Sequence, residues 1–211
     1  MFDSIAPRYD LVNRIMTFGL DIGWRRRAVA MMQLGRGAAV ADVACGTGDF
    51  CRELIRAGHA PVGFDVSIGM LHASKVPAPL VQADGLHLPL GDASVDGVTC
   101  GFAVRNVVDI GALFDEFARV TKPAGALAIL EVATPDSKIV RGGHKFYFNK
   151  VVPFIGGVLS DRSAYSYLPQ STAYLPATTT LLQMLDQRGF LRPTVRFVGL
   201  GAAQIITAVR G

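Results

Sequence analysis

From residue 38 onward the chain alternates short apolar runs with amphipathic stretches. "AAVADVA", "PVGFDV", "PLVQAD", "SVDGVTCGF" and "ALAILEVA" read as five strands. Between them, Asp49 to Ala57 reads as a helix stopped by Gly58, and Ser67 to Lys75 as a short helix with Ser67 as its N-cap. In "DIGALFDEFARVTKPAG", Ile110, Leu113, Phe114, Phe117 and Val120 fall on one helical face. Asp109 can cap its start, and Pro123 with Gly125 is expected to end it. "TTTLLQMLDQRGF" is a further helix, closed by Gly189, and two strands follow, "TVRFVG" and "AAQIITAVR".

Strands alternating with helices imply an α/β fold with a parallel sheet covered on both faces. The last two strands have too little chain between them for a helical crossover, so they should pair antiparallel. Two segments fall outside this pattern, residues 1–35 and 135–176. Both are expected to cap the carboxyl ends of the strands, where open α/β sheets bind ligands.

The length of 211 residues suits a single domain. No apolar run reaches the roughly 18 residues that a membrane helix requires. Three cysteines without metal spacing (Cys45, Cys51, Cys100) fit a reducing, cytoplasmic setting, and no metal site is expected. The net charge of +4 admits contact with an anionic membrane surface. Nucleic acid is disfavoured, because no basic run carries interleaved aromatics. Nothing in the pattern determines an oligomeric state.

The first strand runs into "ACGTGDF", in which Gly46 and Gly48 form G-x-G. A strand, a Gly turn and a helix N-terminus together gather backbone N–H groups at one point. A dinucleotide fold would place a third glycine where Cys51 stands, so pyrophosphate is poorly served. No G-K-[S/T] follows, which excludes a P-loop. Asp65 ends the second strand, where an acid can accept both hydroxyls of a ribose. Asp84 ends the third, where it can accept from the exocyclic amine of an adenine. Together they indicate an adenosine without phosphates, as in S-adenosyl-L-methionine, with its amino-acid end near Asp42 and the backbone of Gly46, Thr47 and Gly48.

"ADVACGTGDF", "GFDVSIGML", "QADGLHLPL", "GFAVRNVVD" and "RVTKPAGALAILEVATP" come in the order of a class I methyltransferase. With "FDSIAPRYDLVNRIMTFGLDIGW" and "DRSAYSYLPQST", nearly the whole chain resembles the ubiquinone/menaquinone biosynthesis C-methyltransferase family. The resemblance implies a Rossmann-like, seven-stranded, mostly parallel sheet with its last strand antiparallel. It implies a cofactor set that includes Thr47, Asp65, Asp84 and Gly85. Gly101 stands where several relatives have a serine, and Ala44 where many methyltransferases have a first glycine. Val12, Thr17 and Asp21 replace the more usual Met, Ser and His. The family also carries a short segment before "FDSIA", so the chain is expected to lack its natural start.

The implied reaction methylates a ring carbon of a reduced isoprenoid quinone, most simply demethylmenaquinol, and leaves S-adenosyl-L-homocysteine. A benzoquinol, or another small phenol, is the alternative acceptor. A noncatalytic, cofactor-binding scaffold is the alternative of a different class. Arg105 and Asn106, after the fourth strand, are the candidates to stabilise the quinolate. The competing role for Arg105 is an ion pair that supports the fold. Tyr9 and Tyr167, in the two cap segments, could close the pocket or bond the quinol hydroxyls. Lys138, Arg141, Lys145 and Lys150 lie among large apolar residues, a mixture suited to an anionic membrane surface.

Overall fold

The computed structural model describes Leu11, residues 13–133 and residues 174–211. Its sheet has seven strands: β1 (Ala39–Val43), β2 (Ala60–Asp65), β3 (Leu80–Gln82), β4 (Val95–Gly101), β5 (Thr121–Val132), β6 (Phe190–Val198) and β7 (Ala203–Arg210). Their spatial order is β3-β2-β1-β4-β5-β7-β6. The first five are parallel, and β7 runs antiparallel to both β5 and β6. The order reverses between β1 and β4, which opens a crevice at their carboxyl ends.

The helices are α1 (Leu20–Met31), α2 (Asp49–Arg56), α3 (Ile68–Ala73), α4 (Ile110–Val120) and α5 (Thr178–Asp186). Strand periodicity assigns them to faces. On β5, Ala126, Ala128 and Leu130 pack with Ala28, Val29 and Met32 from the α1 side and with Phe50 and Leu54 of α2. The alternate residues Leu127 and Ile129 pack with Leu113, Phe114 and Phe117 of α4 and with Leu181 and Leu185 of α5. A strand buried on both faces has no polar alternation, which is why "ALAIL" reads as an unbroken apolar run.

The caps follow the sequence. Ser67 Oγ accepts from the Met70 amide at 3.2 Å, and Asp109 Oδ1 from the Ala112 amide at 2.9 Å. Gly58 and Gly189 close α2 and α5 at φ +86° and +77°.

The fold departs from the expectation at two strand starts. α4 ends at Val120, before Pro123, and β5 begins at once, with Thr121 paired to Val95. Residues 122–125 then leave the ladder until Ala126 pairs with Gly97. This bulge accommodates Pro123, which has no N–H to give, and Ala124 at φ +62°. β6 likewise begins at Phe190 and shifts register between Leu191 and Thr194, around Pro193. Of the segment 1–35, residues 20–31 form α1, which lies flat on the sheet beside α2. Among the described residues no helix is long and apolar enough to cross a membrane.

Candidate active site

β1 passes into α2 through a turn with Ala44, Gly46 and Gly48 all at positive φ (+55°, +55° and +86°). Gly48 caps α2 with no side chain, and a Cβ on it would stand 2.5 Å from Cγ1 of Val76. Both its φ and this close approach call for glycine. Gly48 serves the turn and does not line either pocket described below. Asp65, at the end of β2, ties two turns together. Its Oδ2 accepts from the Gly46 amide at 2.7 Å and its Oδ1 from the Ser67 amide at 2.8 Å.

A pocket of about 330 Å³ opens at the carboxyl ends of β1 and β4. It brings together Gly46, Asp65, Asp84, Gly85, Gly101 and Asn106. Asp84 stands exposed at the rim, and its Oδ1 closes a local turn by accepting from the Leu86 amide at 2.9 Å. A Cβ on Gly85 would lie 3.0 Å from Cγ1 of Val43, so glycine keeps that wall open. Among the described residues, the lining holds two carboxylates and no lysine or arginine. Such an acceptor set suits an uncharged ribose and adenine between apolar walls, and it would repel a pyrophosphate.

A narrow extension of about 30 Å³ shares Ala44, Gly46 and Gly101 with the larger pocket, and adds Asp42, Thr47, Asp49 and Arg25. Its carboxylates and guanidinium suit the ammonium and carboxylate of an amino acid. A Cβ on Gly101 would lie 2.9 Å from the Phe50 ring, so the ring occupies the room that a serine there would need. The residues at hand therefore fit S-adenosylmethionine along the whole crevice.

Asp42 is a strongly perturbed carboxyl of the site. It is almost wholly buried at the end of β1, and burial pushes its carboxyl up to about 7. Hydrogen bonds from Thr99 Oγ1 (2.9 Å) and Cys51 Sγ (3.3 Å) and the nearby charge of Arg25 pull it partly back. Burial, and then the adjacent Asp42, push the thiols of Cys45 and Cys51 far up, so both stay protonated.

Arg25 is a site residue that the sequence reading missed. Its guanidinium bonds Asp21 at 2.5 Å, approaches Asp49 at 3.6 Å and faces the rings of Phe50 and Phe102 at 5.8 and 5.5 Å. Asp21, Arg25, Ala28, Val29 and Met32 fall at helical spacing. A charged pair within an otherwise apolar face was the available signal.

Arg105 and Asn106 lie on a 3₁₀ turn (Val104–Asn106) directly after β4. Arg105 is buried and forms an ion pair with the fully buried Glu131 of β5, its partner also accepting from the Arg105 amide at 3.3 Å. It does not line the pocket, whereas Asn106 does. Nε of Arg105 and Oδ1 of Asn106 are buried without a hydrogen-bond partner among the described residues. Glu131 was also missed; its signal was a lone acid inside the apolar run "ALAILEVA". Tyr9, Tyr167, Lys138, Arg141, Lys145 and Lys150 lie outside the described residues.

The model of the ubiE/COQ5 methyltransferase family matches residues 1–210. The chain is 42% identical over 218 residues to the demethylmenaquinone methyltransferase of Roseiflexus castenholzii, covering 100% of this chain and 92% of that protein. It is 37% identical over 225 residues to the ubiquinone/menaquinone biosynthesis C-methyltransferase of Geobacter sulfurreducens, covering 100% and 87%. Among solved structures, a SAM-dependent methyltransferase from Archaeoglobus fulgidus has a TM-score of 0.67 at 16% identity, over 90% of this chain and 93% of that one. A phosphoethanolamine N-methyltransferase 2 from Haemonchus contortus, solved with S-adenosyl-L-methionine, has a TM-score of 0.67 at 14% identity, over 100% and 60%. With its fold, its crevice and a match over almost every residue in agreement, the chain belongs to the ubiE/COQ5 methyltransferase family.

Proposed function

We propose that this protein transfers a methyl group from S-adenosylmethionine to a ring carbon of demethylmenaquinol, giving menaquinol and S-adenosylhomocysteine. The observation that carries the reading is the pocket edged by Asp65 and Asp84, without a cation among its described lining residues, in a chain whose relatives, matched over almost their whole length, are named for this reaction. When bound, the cofactor supplies an electrophilic methyl group on a sulfonium.

The chain's own part is to bind, align and exclude water. Asp65 accepts from the ribose hydroxyls and Asp84 from the adenine amine. Thr47 and the Gly46 turn hold the amino-acid end, with Asp42 facing its ammonium and Arg25 its carboxylate. Asn106 Oδ1, buried and unpartnered, accepts from a quinol hydroxyl at the pocket wall. Arg105, anchored by Glu131, favours the quinolate and passes the hydroxyl proton towards water. It does this by charge and not as the base itself. Alignment of the ring carbon with the methyl group supplies much of the rate enhancement. The parts of segments 1–35 and 135–176 outside α1 complete the single domain as a cap, from which Tyr9 and Tyr167 bond the quinol hydroxyls. Lys138, Arg141, Lys145 and Lys150 meet anionic headgroups, so that the protein works at the inner membrane face.

The test is incubation with labelled S-adenosylmethionine and a panel of short-chain reduced naphthoquinones and benzoquinones. Product mass identifies the ring. A labelled benzoquinol alone would move the protein to the ubiquinone pathway, and no labelled product from any quinol would sink the reading.

A further inference from the structure

A third cavity, of about 190 Å³, lies behind the Gly turn between α1 and α2. Five arginines line it: Arg14, Arg25, Arg26, Arg52 and Arg56. They share three carboxylates. Asp49 takes Arg14 at 2.7 Å and Arg52 at 2.6 Å, Glu53 takes Arg26 at 3.1 Å and Arg56 at 2.5 Å, and Asp21 takes Arg14 and Arg25. Among the described residues, five guanidiniums against three carboxylates leave two positive charges in excess around one small cavity. The acids are almost fully buried, whereas Arg26 and Arg56 are more than half exposed. The positive ends therefore face outward, with fork-shaped donors that the carboxylates do not saturate. That is the donor geometry that suits the oxygens of a phosphate.

The chain beside this cavity is apolar and exposed. Phe18, at φ +53° in the turn before α1, and Leu20, at the start of α1, are 78% and 52% exposed. A guanidinium cluster beside protruding apolar side chains matches a surface that offers phosphate at one depth and acyl chain just below it.

We propose that this cavity is a docking site for the phosphate of an anionic phospholipid headgroup, with Phe18 and Leu20 entering the interface beside it. It rests on the reading of a lipid-borne substrate, and it puts the membrane contact on the α1–α2 corner as well as on the cap. Arg25 and Asp49 line both this cavity and the amino-acid end of the crevice. The headgroup is thus read one side chain away from the cofactor.

The experiment is flotation of the full chain with vesicles of phosphatidylglycerol or phosphatidylcholine. Arg52→Gln/Arg56→Gln is the informative variant, because Asp49 keeps Arg14 and Glu53 keeps Arg26, so no buried acid is stranded. Each basic side chain near an anionic surface is worth roughly fivefold in affinity, so the pair should weaken phosphatidylglycerol binding about thirtyfold. Phe18→Ser, which leaves the charge unchanged, should weaken it as well. Unchanged binding by the double variant, with loss in Lys145→Gln/Lys150→Gln, would overturn the assignment and leave the cap as the membrane contact. Thermal stabilisation by inorganic phosphate that the double variant loses, without any vesicle binding, would assign the cavity to a free anion and overturn the lipid. Methylation of a soluble short-chain quinol should be unchanged in the double variant. Failure of the wild type in that assay would count against the methyltransferase reading alone.

Discussion

The thiol of Cys51 donates to Oδ2 of Asp42 across 3.3 Å, inside the turn that would carry pyrophosphate in a dinucleotide fold. Where such a fold has a third glycine, this chain has a side chain that partners the buried acid at the end of β1. Thr99, on the neighbouring strand, holds the other oxygen. The loop is thereby built around a carboxyl group, and a carboxyl suits an ammonium where it would repel a phosphate.

Asp42 makes stability depend on pH. Its carboxyl is raised to about 7 by burial, from an ordinary value of about 3.9. Between those values the folded chain holds a proton that the unfolded chain has lost. Stability should therefore fall as pH rises from about 4 to 7 and level off above. Asp42→Asn should lose most of this decline. Urea midpoints at pH 5 and pH 8 measure it, and an equal wild-type-to-variant difference at both would refute it.

Asp65→Asn should weaken S-adenosylhomocysteine binding by roughly 10- to 100-fold, the worth of hydrogen bonds to a charged acceptor. An amide has one accepting oxygen, so it cannot serve the Gly46 and Ser67 amides together. Calorimetric titration and a melting curve separate the two effects. A large drop in melting temperature with unchanged affinity would give Asp65 to the fold alone.

Arg105→Ala removes one partner of a buried ion pair and leaves Glu131 with an uncompensated charge. It should cost about 3–5 kcal/mol of stability. Turnover of the folded fraction should fall while S-adenosylhomocysteine affinity holds, since Arg105 lies outside the pocket wall. Normal turnover would end its catalytic role and leave only the structural one.

Gly48→Ala and Gly46→Ala should differ. A Cβ at Gly48 meets Val76 at 2.5 Å at φ +86°, whereas one at Gly46, at φ +55°, meets nothing within 4 Å. The first should cost roughly 2–3 kcal/mol, by strain and overpacking together, and the second about 1 kcal/mol. Thermal melts rank them, and the reverse order would contradict the turn geometry.

The order of elements was legible because each rests on local chemistry. Apolar runs bounded by turns gave β1 to β5, and the cap residues Ser67 and Asp109 marked helix starts by side-chain reach. The short link between β6 and β7 left only an antiparallel pairing. Asp65 and Asp84 could be read as partners because a parallel sheet brings successive strand ends to one edge. Contacts between distant segments were not legible in this way. Nothing local joins Arg25 to Asp49, Arg105 to Glu131 or Cys51 to Asp42. Those pairs form only when α1 lies on the sheet and β4 lies between β1 and β5. Burial then raises the worth of each charge and the cost of leaving it unpaired, and burial is a property of the packed chain. The bulges around Pro123 and Pro193 are of the same kind, since a strand can absorb an extra residue only against a neighbour that fixes its register. The sequence alone determined the parallel sheet, the Gly turn and the two acids at successive strand ends. The tertiary structure decided which charges face one another, because burial and pairing across distant segments exist only in the packed chain.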